Sequence, residues 1–155
     1  MITTLAIQLE AWLQEELAAQ TRLAAVLEGL ERAVRSGQTV GLAEAGVGLE
    51  RELAGAPARE VRRRVLLGRI GGALALPPQA WNLTRLCARL SEENIETTRL
   101  AHLRGELRTT VAGVARVSRR LAAVARYHQG LLDELCQTLV ADTGGTGGQL
   151  VDTRG

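Results

Sequence analysis

His102 and His128 are the first candidates for chemistry, because imidazole is both a common zinc ligand and the usual acid–base group near neutral pH. The two histidines lie far apart on one predicted helix and belong to no recognisable set of zinc ligands. We therefore expect them at surface or seam positions of a helical bundle. Cys87 and Cys136 fall within apolar helical patterns and predict buried free thiols, not a disulfide or a metal pair.

The densest acidic cluster also has a structural explanation. Glu92, Glu93 and Glu96 could supply paired carboxylates for acid–base catalysis. Ser91 precedes them, however, and Ser followed by acidic residues is typical of a helix N-cap that favours the helix dipole. Glu-x-x-His sets, which enzymes built on helical bundles use, do not occur in the sequence. We predict that the protein is not an enzyme and uses no metal and no cofactor.

Phosphate binding is not indicated either. The three consecutive arginines at 62–64 have Glu60 beside them, which predicts an ion-paired helix face and not a nucleic-acid contact. The net charge of +2 comes from 19 basic and 17 acidic residues spread along the chain. The glycine run at 144–148 lacks the Lys-Ser/Thr ending of a phosphate loop and follows a predicted helix instead of a strand.

The composition favours a helical bundle. Hydrophobic residues make up 46% of the 155-residue chain, yet phenylalanine is absent and there is one tyrosine, so the apolar set is mainly Leu, Ala and Val. The first residues carry no basic segment, and Glu10, Glu15 and Glu16 interrupt any apolar run. The sequence predicts a cytoplasmic protein with no signal peptide and no membrane insertion.

Apolar residues recurring at three- and four-residue steps predict helices at 2–36, 39–76, 79–90 and 92–141. Glycine after Ser36 predicts the first break, and a weakness is expected near Gly55 and Pro57. The last helix would reach about 75 Å, so it must pair with the first helix, with another chain or with both. We predict an all-α fold, an elongated antiparallel bundle or coiled coil of three to four helices at 1–141, with a flexible glycine-rich tail at 142–155.

Two segments near the end of the chain, YHQGLLDEL at 127–135 and the glycine-rich stretch that ends in VDTRG at 144–155, resemble the FlgN family of flagellar export chaperones. The run YHQGLLDEL at 127–135 is similar to a family pattern in which polar residues and a glycine precede a Leu-Leu pair. The glycine-rich 144–148 and the VDTRG at 151–155 resemble the family's glycine-rich segment with its Asp-x-Arg-Gly-like ending. The chain differs at Gln129, where Asn is frequent, and at Thr143, where Tyr is often found.

The resemblance implies a cytosolic chaperone that holds hook-associated proteins, the proteins of the hook–filament junction, unassembled. It would deliver them to the flagellar type III export apparatus without ATP or metal. A subunit that polymerises exposes an amphipathic terminal helix, which a helix-in-groove complex can cover. Under this hypothesis, the candidate client contacts are Leu131, Leu132, Leu135, Leu139, Thr143, Val151 and Arg154, with the tail folding over the client.

Two alternatives remain open at the level of sequence. The same leucines could form the intramolecular seam of the bundle. The chain could also be a structural coiled-coil oligomer or scaffold that uses its apolar stripes for self-association, for example as a homodimer. Only the tail cannot belong to a packed core, so its removal is expected to leave thermal stability nearly unchanged.

Overall fold

The computed structural model describes the backbone of residues 1–144 and the side chains of residues 1–139, and all regular elements in this range are helical. They are α1 (Ile2–Ser36), α2 (Thr39–Ala54), α3 (Ala56–Ala73), α4 (Leu83–Glu92) and α5 (Thr98–Gly144), with a short 3₁₀ turn at Pro78–Ala80 before α4. The predicted all-α bundle is confirmed. Most of the predicted tail, 145–155, lies outside the described residues.

The chain divides into two units, Met1–Val117 and Ser118–Gly155. The first unit contains α1 to α4 and the beginning of α5. The described part of the second unit consists of the later turns of α5.

In the first unit, α1 forms an antiparallel hairpin with α2 and α3. Three ion pairs show that the arrangement is antiparallel, because the later a residue lies in α1, the earlier its partner lies in α2 or α3. Their nitrogen–oxygen distances are 3.1 Å for Arg22–Glu52, 3.0 Å for Arg59–Glu16 and 2.9 Å for Arg62–Glu15. An ion pair joins the start of α5 to α1, with the Arg99 Nε atom 2.6 Å from the Glu10 Oε1 atom.

The hydrophobic core lies where α1, α3, α4 and the start of α5 meet. Each helix contributes apolar residues at helical spacing, so one stripe of each is removed from water. The core side chains are Leu5, Ala6, Leu9, Trp12 and Leu13 of α1, Leu67 and Ile70 of α3 with Leu74 after it, Leu86, Cys87 and Leu90 of α4, and Leu100 and Leu103 of α5. Burial raises the pKa of the Cys87 thiol, as expected for a structural cysteine.

The predicted break after Ser36 is confirmed. Gly37 adopts the left-handed conformation with φ of 65°. The backbone amide of the next residue, Gln38, donates a hydrogen bond to the Ala33 carbonyl at 3.3 Å. This is the Schellman arrangement that closes many helices. The predicted single helix at 39–76 is corrected: it divides at Gly55, where the weakness was expected, and α3 ends at Ala73.

The beginning of the last helix is also corrected. Ser91 is not the N-cap of α5 but belongs to the final turn of α4, because Asn94 adopts a left-handed conformation with φ of 58°. The Ile95 amide then donates to the Leu90 carbonyl at 3.1 Å and closes α4. The predicted helix at 92–141 therefore runs from Thr98 to Gly144, and the predicted helix at 79–90 becomes the 3₁₀ turn followed by α4.

Trp81 connects the 3₁₀ turn and α4 to the face of α3. Its ring lies in a notch that α3 leaves open by carrying glycine at 68 and 71. A Cβ atom on Gly68 would lie 3.2 Å from the ring, and one on Gly71 would overlap the pyrrole side of the indole. The Trp81 Nε1–H donates to the Leu76 carbonyl at 3.0 Å, which fixes the ring in this position.

Candidate helix-binding surface

The apolar stripe of α5 repeats with alternating three- and four-residue steps, the spacing of a coiled-coil seam. Its members are Leu100, Leu103, Leu107, Val114, Val117, Leu121, Val124, His128, Leu131 and Leu135. The alternation of three- and four-residue steps is unbroken along α5, because the polar residue Thr110 occupies the seam position between Leu107 and Val114. The stripe therefore belongs to one face of a continuous helix.

Burial along this stripe decreases towards the end of α5. In the first unit Leu100 is 2% exposed and Val117 is 8% exposed. In the second unit Val124 is 37% exposed, Leu131 38% and Leu135 60%. Leu100 and Leu103 are packed in the core, whereas the seam positions from Val124 onwards face water, with Leu121 of intermediate burial between them. We call the later part of the stripe, from Leu121 to Leu139, the exposed stripe.

The exposed stripe contains four of the predicted client contacts. Leu131 and Leu135 lie on the seam, and Leu132 and Leu139 lie beside it at 60% and 64% exposure. Thr143 belongs to the backbone of α5, but its side chain is not among those described. Val151 and Arg154 lie outside the described residues. The structure thus brings four leucines together on one helix and leaves the tail contacts as predictions.

Aromatic and thiol groups border the exposed stripe. Tyr127 is 65% exposed and meets the ring of His128 edge-on, with the ring centroids 5.9 Å apart. Cys136 is exposed, which corrects the prediction that both thiols are buried. The apolar pattern misled here because every described side chain of α5 around Cys136 is exposed, including the seam residue Leu135 beside it.

The two histidines take the positions expected of surface or seam residues. His128 occupies an exposed seam position. His102 lies on the solvent side of α5, where its Nε2 is 3.4 Å from the carboxylate of Glu106. Sequence reasoning missed this partner, although the four-residue spacing places the two side chains on adjacent turns.

The arginine run at 62–64 forms the predicted ion-paired face. Arg62 reaches Glu15 of α1, whereas Arg63 and Arg64 both bind Glu60, at 2.7 and 2.8 Å. Hydrogen bonds from Arg63 and Arg64 lower the pKa of Glu60 to about 2, from an ordinary value of 4.5. Each of the three guanidinium groups thus has a carboxylate within the fold.

The Glu60 carboxyl group is expected to titrate with a midpoint near pH 2 in a carbon-detected NMR titration of the folded protein. Because the folded-state pKa is depressed, this group stabilises the fold above about pH 4.5, and the contribution disappears as the pH falls towards 2. Glu60→Gln should remove this part of the acid dependence. A midpoint near 4.5 would mean that the two arginine contacts do not persist in solution.

A second apolar surface lies between α1 and α3. It is a groove of about 460 Å³, lined by Gln8, Ala11, Trp12, Val61, Arg62, Val65, Leu66 and Arg69. Val61 and Val65 are more than half exposed. The indole N–H of Trp12 is buried and has no hydrogen-bond acceptor among the described residues. This groove is shorter than the exposed stripe, since it spans only two turns of α3.

Comparisons with protein-family models, with curated proteins and with solved structures find no match to this chain. Within residues 1–144, none of the helices has the length and apolar character that a membrane span requires. Function must therefore be inferred from the surface itself and from the sequence motifs.

Proposed function

We propose that the chain is a cytosolic export chaperone that covers the amphipathic terminal helix of a client protein with its exposed stripe. The clients implied by the FlgN-like motifs are hook-associated proteins of the flagellum, which the chaperone would hold unassembled and pass to the type III export apparatus. The observation that carries the proposal is the exposure of Leu131, Leu132, Leu135 and Leu139 on one helix.

The chemistry of the exposed stripe favours a helical client. A row of leucines at seam spacing is complementary to a second amphipathic helix, whose side chains fill the spaces between successive turns. A peptide that binds by strand addition would instead need an unpaired strand edge, and the described residues contain no strand. Clustered exposed leucines of this kind usually mark an interaction site.

Binding to such a stripe suits a chaperone that must later release its client. The four leucines are more than a third exposed in the unbound chain, so the client gains apolar contacts without displacing a packed core. Affinity then depends on the area covered, at roughly 25 cal/mol for each Å² removed from water, less the cost of ordering both partners. A few turns of contact provide binding that competing interactions at the export apparatus can reverse.

The direct test measures binding of fluorescent peptides that correspond to the terminal helices of hook-associated proteins. Leu135→Asp places a charge in the exposed stripe and is expected to weaken binding by more than about tenfold. The matched control is Ala122→Asp, because Ala122 is exposed on the same helix but lies away from the seam. The control should bind within about twofold of the parent chain, since neither substitution touches the core of the first unit.

A chain ending at Ala141 tests the tail separately. It should melt at the same temperature as the full chain and bind the peptides more weakly. Equal binding by the parent chain and Leu135→Asp would remove the exposed stripe from the proposal. A large loss of thermal stability on truncation would instead identify the tail as part of the folded structure.

A structural coiled-coil oligomer is the second candidate, because the seam spacing of the exposed stripe suits self-association as well as client binding. Under that function no flagellar peptide would bind. The Leu135→Asp substitution would then change only the concentration at which the chain associates with itself.

A further inference from the structure

The charges of the second unit are divided along its helix. Among residues 118–139, all the arginines lie in the first half, at Arg119, Arg120 and Arg126. The acidic side chains, Asp133 and Glu134, both lie in the second half. Arg120 and Glu134 also occupy equivalent positions next to the seam, because each directly precedes a seam leucine, Leu121 or Leu135.

We propose that, when no client is bound, a second copy of this chain covers the exposed stripe, with the two α5 segments antiparallel. An antiparallel pair sets the basic half of each helix beside the acidic half of the other. A parallel pair in register would instead place Arg120 beside Ala125 of the second copy and Glu134 beside its Leu139, so neither charge would gain an opposite partner. The charge distribution therefore identifies a partner, its own copy, and selects one orientation.

A specific register follows from pairing these charges. Leu121 packs against the second copy's Leu131, and Val124 packs against the second copy's His128. The two-fold axis then crosses the pair between the seam positions Val124 and His128, level with residue 126. Arg120 lies beside the second copy's Glu134, and by symmetry Glu134 lies beside the second copy's Arg120.

His128 limits the strength of this pair. A polar residue at a seam position fixes register in coiled coils and costs stability relative to leucine. The resulting dimer protects the leucines from non-specific contacts but remains weak enough for a client helix to replace the second copy. Such a dimer goes beyond the proposed function, because it forms whether or not flagellar clients bind.

Charge substitutions in the full chain test both the partner and the orientation. Arg120→Glu and Glu134→Arg each place two like-charged pairs in the antiparallel dimer. Each variant alone is expected to dimerise about tenfold more weakly than the parent in sedimentation equilibrium. An equimolar mixture of the two variants should recover dimerisation, because both pairs then join opposite charges. No recovery on mixing would overturn the antiparallel register.

Cysteine cross-linking gives an independent measure of the register. The background carries Cys136→Ser to remove the exposed thiol, while the buried Cys87 is retained. A Leu121→Cys chain mixed with a Leu131→Cys chain should form a disulfide between the two variants, with little cross-linking of either alone. An Ala122→Cys chain is the control for random collision, since its side chain lies away from the seam.

The possible outcomes separate the dimer from the client complex. Cross-links within the Leu121→Cys variant alone would indicate a parallel dimer and overturn the antiparallel arrangement. A monomer at every concentration would overturn self-association altogether, while the peptide-binding test of the client hypothesis would be unaffected. A dimer that binds no flagellar peptide would support self-association and remove the chaperone function.

Discussion

Leu9→Ala is expected to lower the free energy of unfolding by about 3 kcal/mol, a larger loss than any substitution on the surface of the bundle should cause. Leu9 is 0% exposed in α1 and belongs to the core cluster that joins α1, α3, α4 and α5. Truncation removes three carbon atoms from a packed site and leaves a cavity that the surrounding helices fill only partly. For a chain of this size, the melting temperature should fall by roughly 6–12 °C in thermal unfolding followed by circular dichroism.

The control for Leu9 is the same substitution on the surface. Leu53 of α2 is 49% exposed, so Leu53→Ala should change the free energy of unfolding by no more than about 0.5 kcal/mol. If both variants lost equal stability, the hydrophobic core would not lie where α1 meets α3 and α4.

Gly71→Ala is expected to cost about 2 kcal/mol, although alanine normally favours a helix over glycine. The added methyl group would overlap the indole of Trp81. The ring must then leave the notch on α3 and lose its hydrogen bond to the Leu76 carbonyl. Trp81 would become more exposed, so a red shift in tryptophan fluorescence should accompany the lower melting temperature.

Gly72→Ala distinguishes crowding from helix propensity. Gly72 lies in the same turn of α3, and a Cβ atom there would meet no atom within 4 Å apart from the adjoining backbone of α3 itself. This variant should be unchanged or more stable by up to about 1 kcal/mol, because alanine reduces the entropy lost on folding. Destabilisation of both variants would mean that α3 requires glycine for its backbone and not for the Trp81 contact.

The limits of a helix could be predicted from the sequence where apolar spacing and capping residues alone determine them. Apolar spacing placed α1 within its observed limits, and the glycine after Ser36 predicted its end. The start of α5 could not be predicted in the same way. Ser91 and the acidic residues after it suit an N-cap, but Asn94 closes α4 first by adopting a left-handed conformation that brings Ile95 against the core. Tertiary packing thus overrides a favourable local signal.

The candidate surface was predictable in composition but not in exposure. The leucines near the end of α5 were visible as a stripe, yet the same spacing describes the buried part of the helix. Only the structure separates Leu103, which is 7% exposed, from Leu135, which is 60% exposed. The notch for Trp81 was invisible in the sequence, because Gly68 and Gly71 signal weak helix propensity and say nothing about a ring that arrives from another segment.

The division of α5 into a packed part and an exposed part also affects how such a protein can evolve. Substitutions at Leu131 or Leu135 alter the exposed surface of the helix without opening a cavity, since these side chains contribute little to the core. Substitutions at Leu100 or Leu103 are constrained by three other helices. Descendants of this chain can therefore change the exposed part of α5 while selection for folding acts on a different stretch of the same helix.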